Sequence, residues 1–379
     1  MTKDATGLKI GVLGGGQLGR MMIQSAINYN LDIAVLDPNP EAPCAHLVKD
    51  FTAGSLTDTE TVWEWGKNLD LVTIEIENVS VEGLKKLRDH GVTVYPQPQV
   101  IELIQDKRKQ KTFYKANGIP TADFVLTETA EETARHAKWL PAVHKLGKEG
   151  YDGRGVQVLR SQEDLTKAFD KPGLLEELVD FDCELSVVVA RNEKGQMSCF
   201  PVVQLEYHPE QNLVEFLFAP AQINESIEKK AYALAEDVIS KLNMVGLLAV
   251  EMFLTKAGDL LVNEIAPRTH NSGHHTIEAN MTSQFEQHLR AILSWPLGPT
   301  TLRTPAAMVN VLGAEGHTGE ARYEGLESVL ASEGVYVHLY GKKLTKPFRK
   351  MGHVTILDHS IEQLKARARE VKEILKVVT

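Results

Sequence analysis

Three cysteines in 379 residues, Cys44, Cys183 and Cys199, leave no close pair from which a disulfide framework or a thiolate zinc site would be built. Their scarcity fits a reducing cytoplasm. No apolar run approaches the length of a membrane span, and the N-terminus has no signal-peptide layout. Basic charge is in deficit: a formal net charge of −10 argues against a general nucleic-acid-binding surface, so any anionic ligand must be held by local basic clusters. Repeats and low-complexity tracts are missing too. A hydrophobic content of 43% and a charged content of 24% describe an ordinary soluble protein, long enough for two or three domains.

The densest chemistry lies between Leu248 and His275. Leu248–Thr255 and Leu260–Ile265 are apolar, β-prone runs separated by Lys256-Ala-Gly-Asp259, which predicts a hairpin. With that turn, Glu251 faces Glu264, and the same face carries Phe253 and Val262. Directly opposed carboxylates repel at Cβ separations of about 4.5–5.5 Å, so a hard divalent cation with oxygen ligands is the natural companion. A solvated hairpin face is the plain alternative. Arg268, His270, Asn271, His274 and His275 follow in a polar loop.

Upstream, Leu8–Leu13, Gly14–Gly19, the helical Arg20–Tyr29 and Leu31–Leu36 form a predicted βαβ unit. Its turn fits G-x-G-x-x-G, and Asp37 stands where a dinucleotide fold places its ribose acceptor. That pattern admits an NAD- or FAD-dependent oxidoreductase. It also suits a phosphate monoester beside Gln17 and Arg20. Leu71–Ile76 is a strand with Glu75, Glu77 and Asn78 at its C-terminal end, where open α/β sheets bind ligands. Gln105–Ala116 is a basic helix, expected to be mostly solvated.

Farther on, Thr127–Trp139 and Gln162–Phe169 are expected as helices, and Ala142–Lys145 and Val156–Leu159 as strands. The glycine-rich loop Lys148–Gly155 between those strands suits a mobile flap over phosphates. Leu174–Phe181 is expected as an edge strand able to read an adenine ring, with Glu176 or Glu184 accepting from ribose hydroxyls. Between Tyr336 and Leu357 there is no acid, but Lys342, Lys343, Lys346, Arg349, Lys350 and His353 all occur, a candidate phosphate site. Ser360–Val378 reads as an amphipathic helix covering the core.

Gly11–Met21 (GVLGGGQLGRM), Gly150–Gly155 (GYDGRG), Asn263–Arg268 (NEIAPR) and His270–His274 (HNSGH) together resemble the N5-carboxyaminoimidazole ribonucleotide synthases. These are biotin-independent carboxylases of purine biosynthesis within the ATP-grasp superfamily. The resemblance runs from about Leu8 to His353. It implies an α/β and α+β architecture: a Rossmann-like pre-ATP-grasp domain (1–104), a lid region with the flap (105–190), an ATP-grasp catalytic core (191–308) and a small β-rich C-terminal domain (309–379). It also implies ATP and Mg²⁺, a cytoplasmic homodimer, and a glycine turn facing a ribonucleotide monophosphate in place of a dinucleotide.

By motif position, the resemblance makes Glu251 and Glu264 metal ligands. The ATP site would comprise Lys107, Lys145, Gly150, Tyr151, Asp152, Gly153, Arg154, Gly155, Val156, the segment Glu176, Glu177, Leu178 and Val179, then Glu184, Asn263 and Glu264. Arg268, His270 and Asn271 would hold carboxyphosphate. Gln17, Glu77, Asn78, Tyr151, Asp152, Arg154, Lys342 and Arg349 would surround 5-aminoimidazole ribonucleotide. Three departures from the family pattern stand out: Glu149 for the first flap glycine, Phe348 for a glycine before Arg349-Lys350, and Leu205 and Tyr207 where an Asn and a His are usual. No ATP contact is expected from the 205–207 segment. A relative using formate, a dinucleotide-dependent oxidoreductase and a non-catalytic nucleotide-binding module are the competing readings.

Overall fold

The computed structural model describes residues 7–148, 155–208 and 213–379. Its first layer is a five-stranded parallel sheet in the order Asp50–Ala53, Asp32–Asp37, Lys9–Leu13, Leu71–Ile74, Thr93–Val94. The chain order reverses beside Lys9–Leu13, so a crevice opens between the C-terminal ends of Lys9–Leu13 and Leu71–Ile74. Ile10, Val12, Val35, Val72 and Ile74 are fully or almost fully buried, as strands covered on both faces require.

A four-stranded antiparallel sheet follows, ordered Phe124–Thr127, Gly173–Glu177, Ala142–Leu146, Val156–Leu159. Gly173–Glu177 is therefore paired on both sides, against the expectation of an edge strand. Leu178 and Val179 fall between that strand and Phe181–Arg191, outside both. The helix expected at 127–139 shortens to Ala130–Arg135 plus a single 3₁₀ turn, Ala137–Trp139, and the one at 162–169 becomes a 3₁₀ turn, Glu163–Lys167.

The largest sheet has nine strands among the described residues, and its longest pairing is Phe181–Arg191 with Gly246–Thr255, beside the edge strand Leu260–Ala266. Val214–Ala219 pairs with Ala306–Leu312, so this sheet runs without interruption into the C-terminal segment. Its buried side holds Leu185, Val187, Val189, Val250, Met252, Val262 and Ile265 beneath the helix Glu225–Lys241. The terminal helix stops at Ile374. The β-branched Val377 and Val378 then pair with Tyr323 and Arg322 as a short strand, which cuts the predicted helix short. Among the described residues, no helix is long and apolar enough to cross a membrane.

Candidate active site

Glu251 lies directly opposite Glu264. Nearer the turn the register differs by one: Met252 pairs with Val262, and Asn263 is the extra residue of a β-bulge. The bulge re-aims two consecutive side chains. Asn263 accepts from Lys145 Nζ at 3.0 Å and Glu264 from Lys107 Nζ at 2.5 Å, whereas Val262 on one side and Ile265 on the other are in the core. The expected sharing of a face by Val262 and the glutamates is thereby overturned. Phe253 does share the side of Glu251 and stacks on Phe181 at 4.9 Å.

The charges on this face are sharply divided. Lys107 holds the Glu264 carboxyl down at about 2. Burial, and then the charges of Glu264 and Glu184, push Glu251 up to about 8. Such a pair could hold a cation in place of the Lys107 contact and the Glu251 proton. Among the described residues no group of three or more acidic, His or Cys side chains could chelate an ion alone. Two carboxylates suit Mg²⁺, which keeps several water and phosphate ligands in place of a full protein cage.

The basic helix is buried and ion-paired in part. Asp106 caps Lys107–Ala116, and Lys107, Lys111 and Tyr114 fall on one face at helical spacing. Lys111 is 3% exposed, contrary to the expected solvation, and burial brings its ammonium down to about 8. It pairs with Glu176 Oε1 at 2.8 Å, while Lys145 pairs with Oε2 at 2.8 Å. Burial alone would raise Glu176, but the two lysines outweigh it and hold the carboxyl below its ordinary value. Glu176 thus orients Lys145, and its carboxylate is not turned to a ribose. Glu184 is the other carboxylate expected there. Burial pushes it up to about 7, against a hydrogen bond from Tyr207. Tyr207 is half-buried close to Glu251, Glu184 and Glu264, so the 205–207 segment comes near these carboxylates.

The polar loop brings Arg268, His270 and Asn271 towards this cleft, whereas His274 and His275 are buried away from it. His270 Nδ1 is 3.0 Å from Ser272 Oγ and 3.7 Å from Glu251 Oε1. Arg268 Nε lies 2.8 Å from Glu77 Oε1, joining the catalytic core to the first domain. Asn271 exchanges amide hydrogen bonds with Asn310 at 2.9 and 3.0 Å. Gly155 is a turn residue and Val156 begins the strand after it, but Gly150, Tyr151, Asp152, Gly153 and Arg154 lie outside the described residues.

In the first domain the glycine turn is already filled. Glu75 is 8% exposed and accepts from Gly16 N at 2.9 Å and Gly19 N at 2.8 Å. Asp37 accepts from Gly15 N at 2.7 Å and Asn39 N at 2.8 Å. A Cβ on Gly14 (φ +103°) would stand 2.4 Å from Glu75 Cγ, so these glycines make room for a carboxylate of the chain itself. The amides a pyrophosphate would need are taken, and so is the ribose acceptor. The dinucleotide reading fails here, and a substrate phosphate has to be held by other groups.

Other polar and basic groups stand nearby. Gln17 opens the helix Gln17–Asn28, Arg20 lies against Gly341, and Lys343 pairs with Glu41, which docks the basic C-terminal stretch onto the first domain. Lys342 Nζ donates to Lys350 O at 2.7 Å, and Arg349 to Leu344 O at 2.7 Å. Phe348 has φ +62°, a left-handed conformation that glycine adopts without steric cost. Asn78 lines a cleft of about 490 Å³ with Pro38, Gly54, Ser55, Thr57 and Ile76.

Family models match in chain order: a ribonucleotide synthetase preATP-grasp domain at 8–105, an ATP-grasp domain at 112–285, and a phosphoribosylaminoimidazole carboxylase C-terminal domain at 306–367. The N5-carboxyaminoimidazole ribonucleotide synthase of Synechococcus elongatus is 39% identical over 92% of this chain and 89% of its own length. The chain belongs to the N5-carboxyaminoimidazole ribonucleotide synthase family. Among solved structures, the Thermotoga maritima synthetase of this family has a TM-score of 0.91 at 44% identity, covering 98% of this chain and 99% of that one. The Aspergillus clavatus N5-carboxyaminoimidazole synthase, solved in complex with ADP and 5-aminoimidazole ribonucleotide, gives 0.89 at 32% identity over 98% and 100%. Some curated relatives are longer: the chain spans 65% of the phosphoribosylaminoimidazole carboxylase of Vigna aconitifolia.

Sequence reasoning missed Lys111, Tyr207, Asn310 and the role of Glu75. Lys111 had a signal, its spacing from Lys107 and Tyr114. The others become site residues only through strand pairing and packing.

Proposed function

We propose that this chain carboxylates 5-aminoimidazole ribonucleotide on its exocyclic amine, using ATP and bicarbonate and releasing ADP and phosphate. The observation that carries the reading is the opposed pair Glu251 and Glu264 with Lys107 and His270 in the same cleft. A bicarbonate oxygen attacks the γ-phosphorus, the bond to ADP breaks, and carboxyphosphate forms. The substrate amine then attacks the carboxyl carbon, directly or as CO₂; phosphate leaves and the amine gives up a proton.

Glu251 and Glu264, with Asn263 beside them, would hold Mg²⁺, which supplies charge neutralisation on the transferring phosphoryl group. Lys107 and Lys145 line the phosphate path. Leu178 and Val179 offer backbone to the adenine edge, next to Glu177, and Glu184 takes the ribose. Arg268, His270 and Asn271 surround carboxyphosphate, where preorganised donors give the largest share of catalysis. Gln17, Glu77, Asn78, Lys342 and Arg349 enclose the ribonucleotide; Tyr151, Asp152 and Arg154, expected to join them, lie outside the described residues. The divisions at 104, 190 and 308 mark functional parts, and a homodimer in the cytoplasm completes the reading.

A phosphate-release assay tests it. Release must require ATP, bicarbonate and 5-aminoimidazole ribonucleotide, each omitted in turn. Formate supporting turnover in place of bicarbonate would instead favour the formate-using relative.

A further inference from the structure

The catalytic loop after Arg268 has little secondary structure of its own, only the 3₁₀ turn Asn271–Gly273 and the short helix Thr276–Ala279. Its shape must come from side chains. One supplies most of it. Gln284 is completely buried, and its amide meets both backbone groups of one residue: His270 N donates to Oε1 at 2.8 Å, and Nε2 donates to His270 O at 2.7 Å. The same Nε2 lies 3.1 Å from His274 Nδ1. Gln284 N donates to Thr276 Oγ1 at 2.9 Å, and that hydroxyl donates to Gly273 O at 2.5 Å. The fit is close from the loop side, because a Cβ on Gly273 would stand 2.5 Å from Gln284 Oε1.

Gln284 is also firmly placed. It is the first residue of the helix Gln284–Ile292, capped by Ser283. Phe285, Leu289 and Ile292 of that helix are buried with Met21, Met22 and Ile23 in the core of the first domain. Tyr29 OH donates to Glu286 at 2.6 Å across the same contact. The loop is thus tied to a helix that the substrate-side domain holds in register.

We propose that Gln284 is the positioning residue of the reaction: its amide sets His270 against Glu251, so that turnover depends on it while nucleotide binding does not. The proposal rests on the reading of His270 given above. A primary amide can accept from an N–H and donate to a C=O at once and stays neutral at every pH of interest. Misplacement by about 1 Å costs a reacting group on the order of 100-fold.

The test uses the full chain with Gln284→Leu, Gln284→Glu and Gly273→Ala. Gln284→Leu should lower kcat about 10- to 100-fold, with the KM for ATP and the calorimetric Kd for ADP within about threefold of wild type. Gln284→Glu can restore both hydrogen bonds only while its carboxyl is protonated. Its activity relative to wild type should therefore fall as pH rises, whereas that of Gln284→Leu stays flat. Hydrogen exchange gives an arm independent of activity: the His270 amide should exchange at least tenfold faster in Gln284→Leu, with the helix 361–374 unchanged. A kcat within threefold of wild type, a parallel loss of ADP affinity, or unchanged His270 exchange would overturn the proposal. If Gln284→Leu does not fold, Gly273→Ala crowds the same contact and carries the same three criteria. Wild type that exchanges as expected yet shows no bicarbonate-dependent turnover would count against the assigned reaction and leave the clamp standing.

Discussion

Glu75 Oε1 accepts the amide of Gly16 at 2.9 Å, so the anion in the glycine-rich turn belongs to the protein. The turn has the sequence of a dinucleotide-binding fingerprint and the geometry of an occupied one. Burial raises the Glu75 carboxyl above its usual range, against the two amides that stabilise its charged form.

Glu75→Gln would set an amide donor against Gly16 N or Gly19 N. Leaving a buried donor unsatisfied costs about 1–3 kcal/mol, so thermal unfolding should shift down by several degrees. NAD titrated into wild type or variant should give no binding heat. A micromolar Kd for NAD in either would defeat this account of the turn.

Glu264→Gln removes one of two opposed carboxylates and the partner of Lys107. Turnover should fall at least 100-fold, and wild type should lose activity on chelation of divalent cations and regain it with Mg²⁺. Near-normal phosphate release by the variant would sink the metal assignment.

Lys111→Met leaves Glu176 buried with Lys145 as its remaining cation. Breaking one side of a buried ion pair costs about 3–5 kcal/mol, to be read from denaturant unfolding. Glu176→Gln instead frees Lys145, and the KM for ATP should rise more than kcat falls. If neither stability nor KM moves, the lysine–glutamate bridge has no part in holding the phosphate site.

Among the described residues five buried imidazoles, His144, His274, His275, His288 and His353, make the fold acid-sensitive, and burial lowers His144 as it does the others. His275 is held down at about 3 and His288 at about 4 by burial, and His274 and His353 lie well below their ordinary value for the same first reason. The folded state keeps them neutral where the unfolded chain takes up protons, below about pH 6.5. Stability therefore falls as pH drops from about 6.5 towards 4, by up to about 1.4 kcal/mol per pH unit for each imidazole. Neither ring nitrogen of His275 has a hydrogen-bond partner among the described residues. His275→Leu should leave stability at pH 7 nearly unchanged and flatten the acid limb of denaturant midpoints against pH. An unchanged slope would contradict the burial argument.

Much of this protein follows from local sequence alone. Strand–glycine turn–helix at 9–28, the two β-prone runs at 248–265 and the helix 225–241 are specified by apolar period and turn residues, which act over a few neighbours. The motifs GYDGRG, NEIAPR and HNSGH name the family because their spacing is chemical. Tertiary structure decided the rest. Whether Glu251 meets Glu264 depended on a bulge at Asn263, which compensates a turn one residue out of the expected register. Gly16 and Gly19 gave no hint of the carboxylate that fills them, because Glu75 arrives from the neighbouring parallel strand. Lys111 and Glu176 find each other across 65 residues of chain, and Gln284 reaches His270 only because its helix is packed on the first domain. Local pattern sets which side chains are available. Long-range packing alone brings their charges and amides to within 3 Å, and at that distance the chemistry is determined.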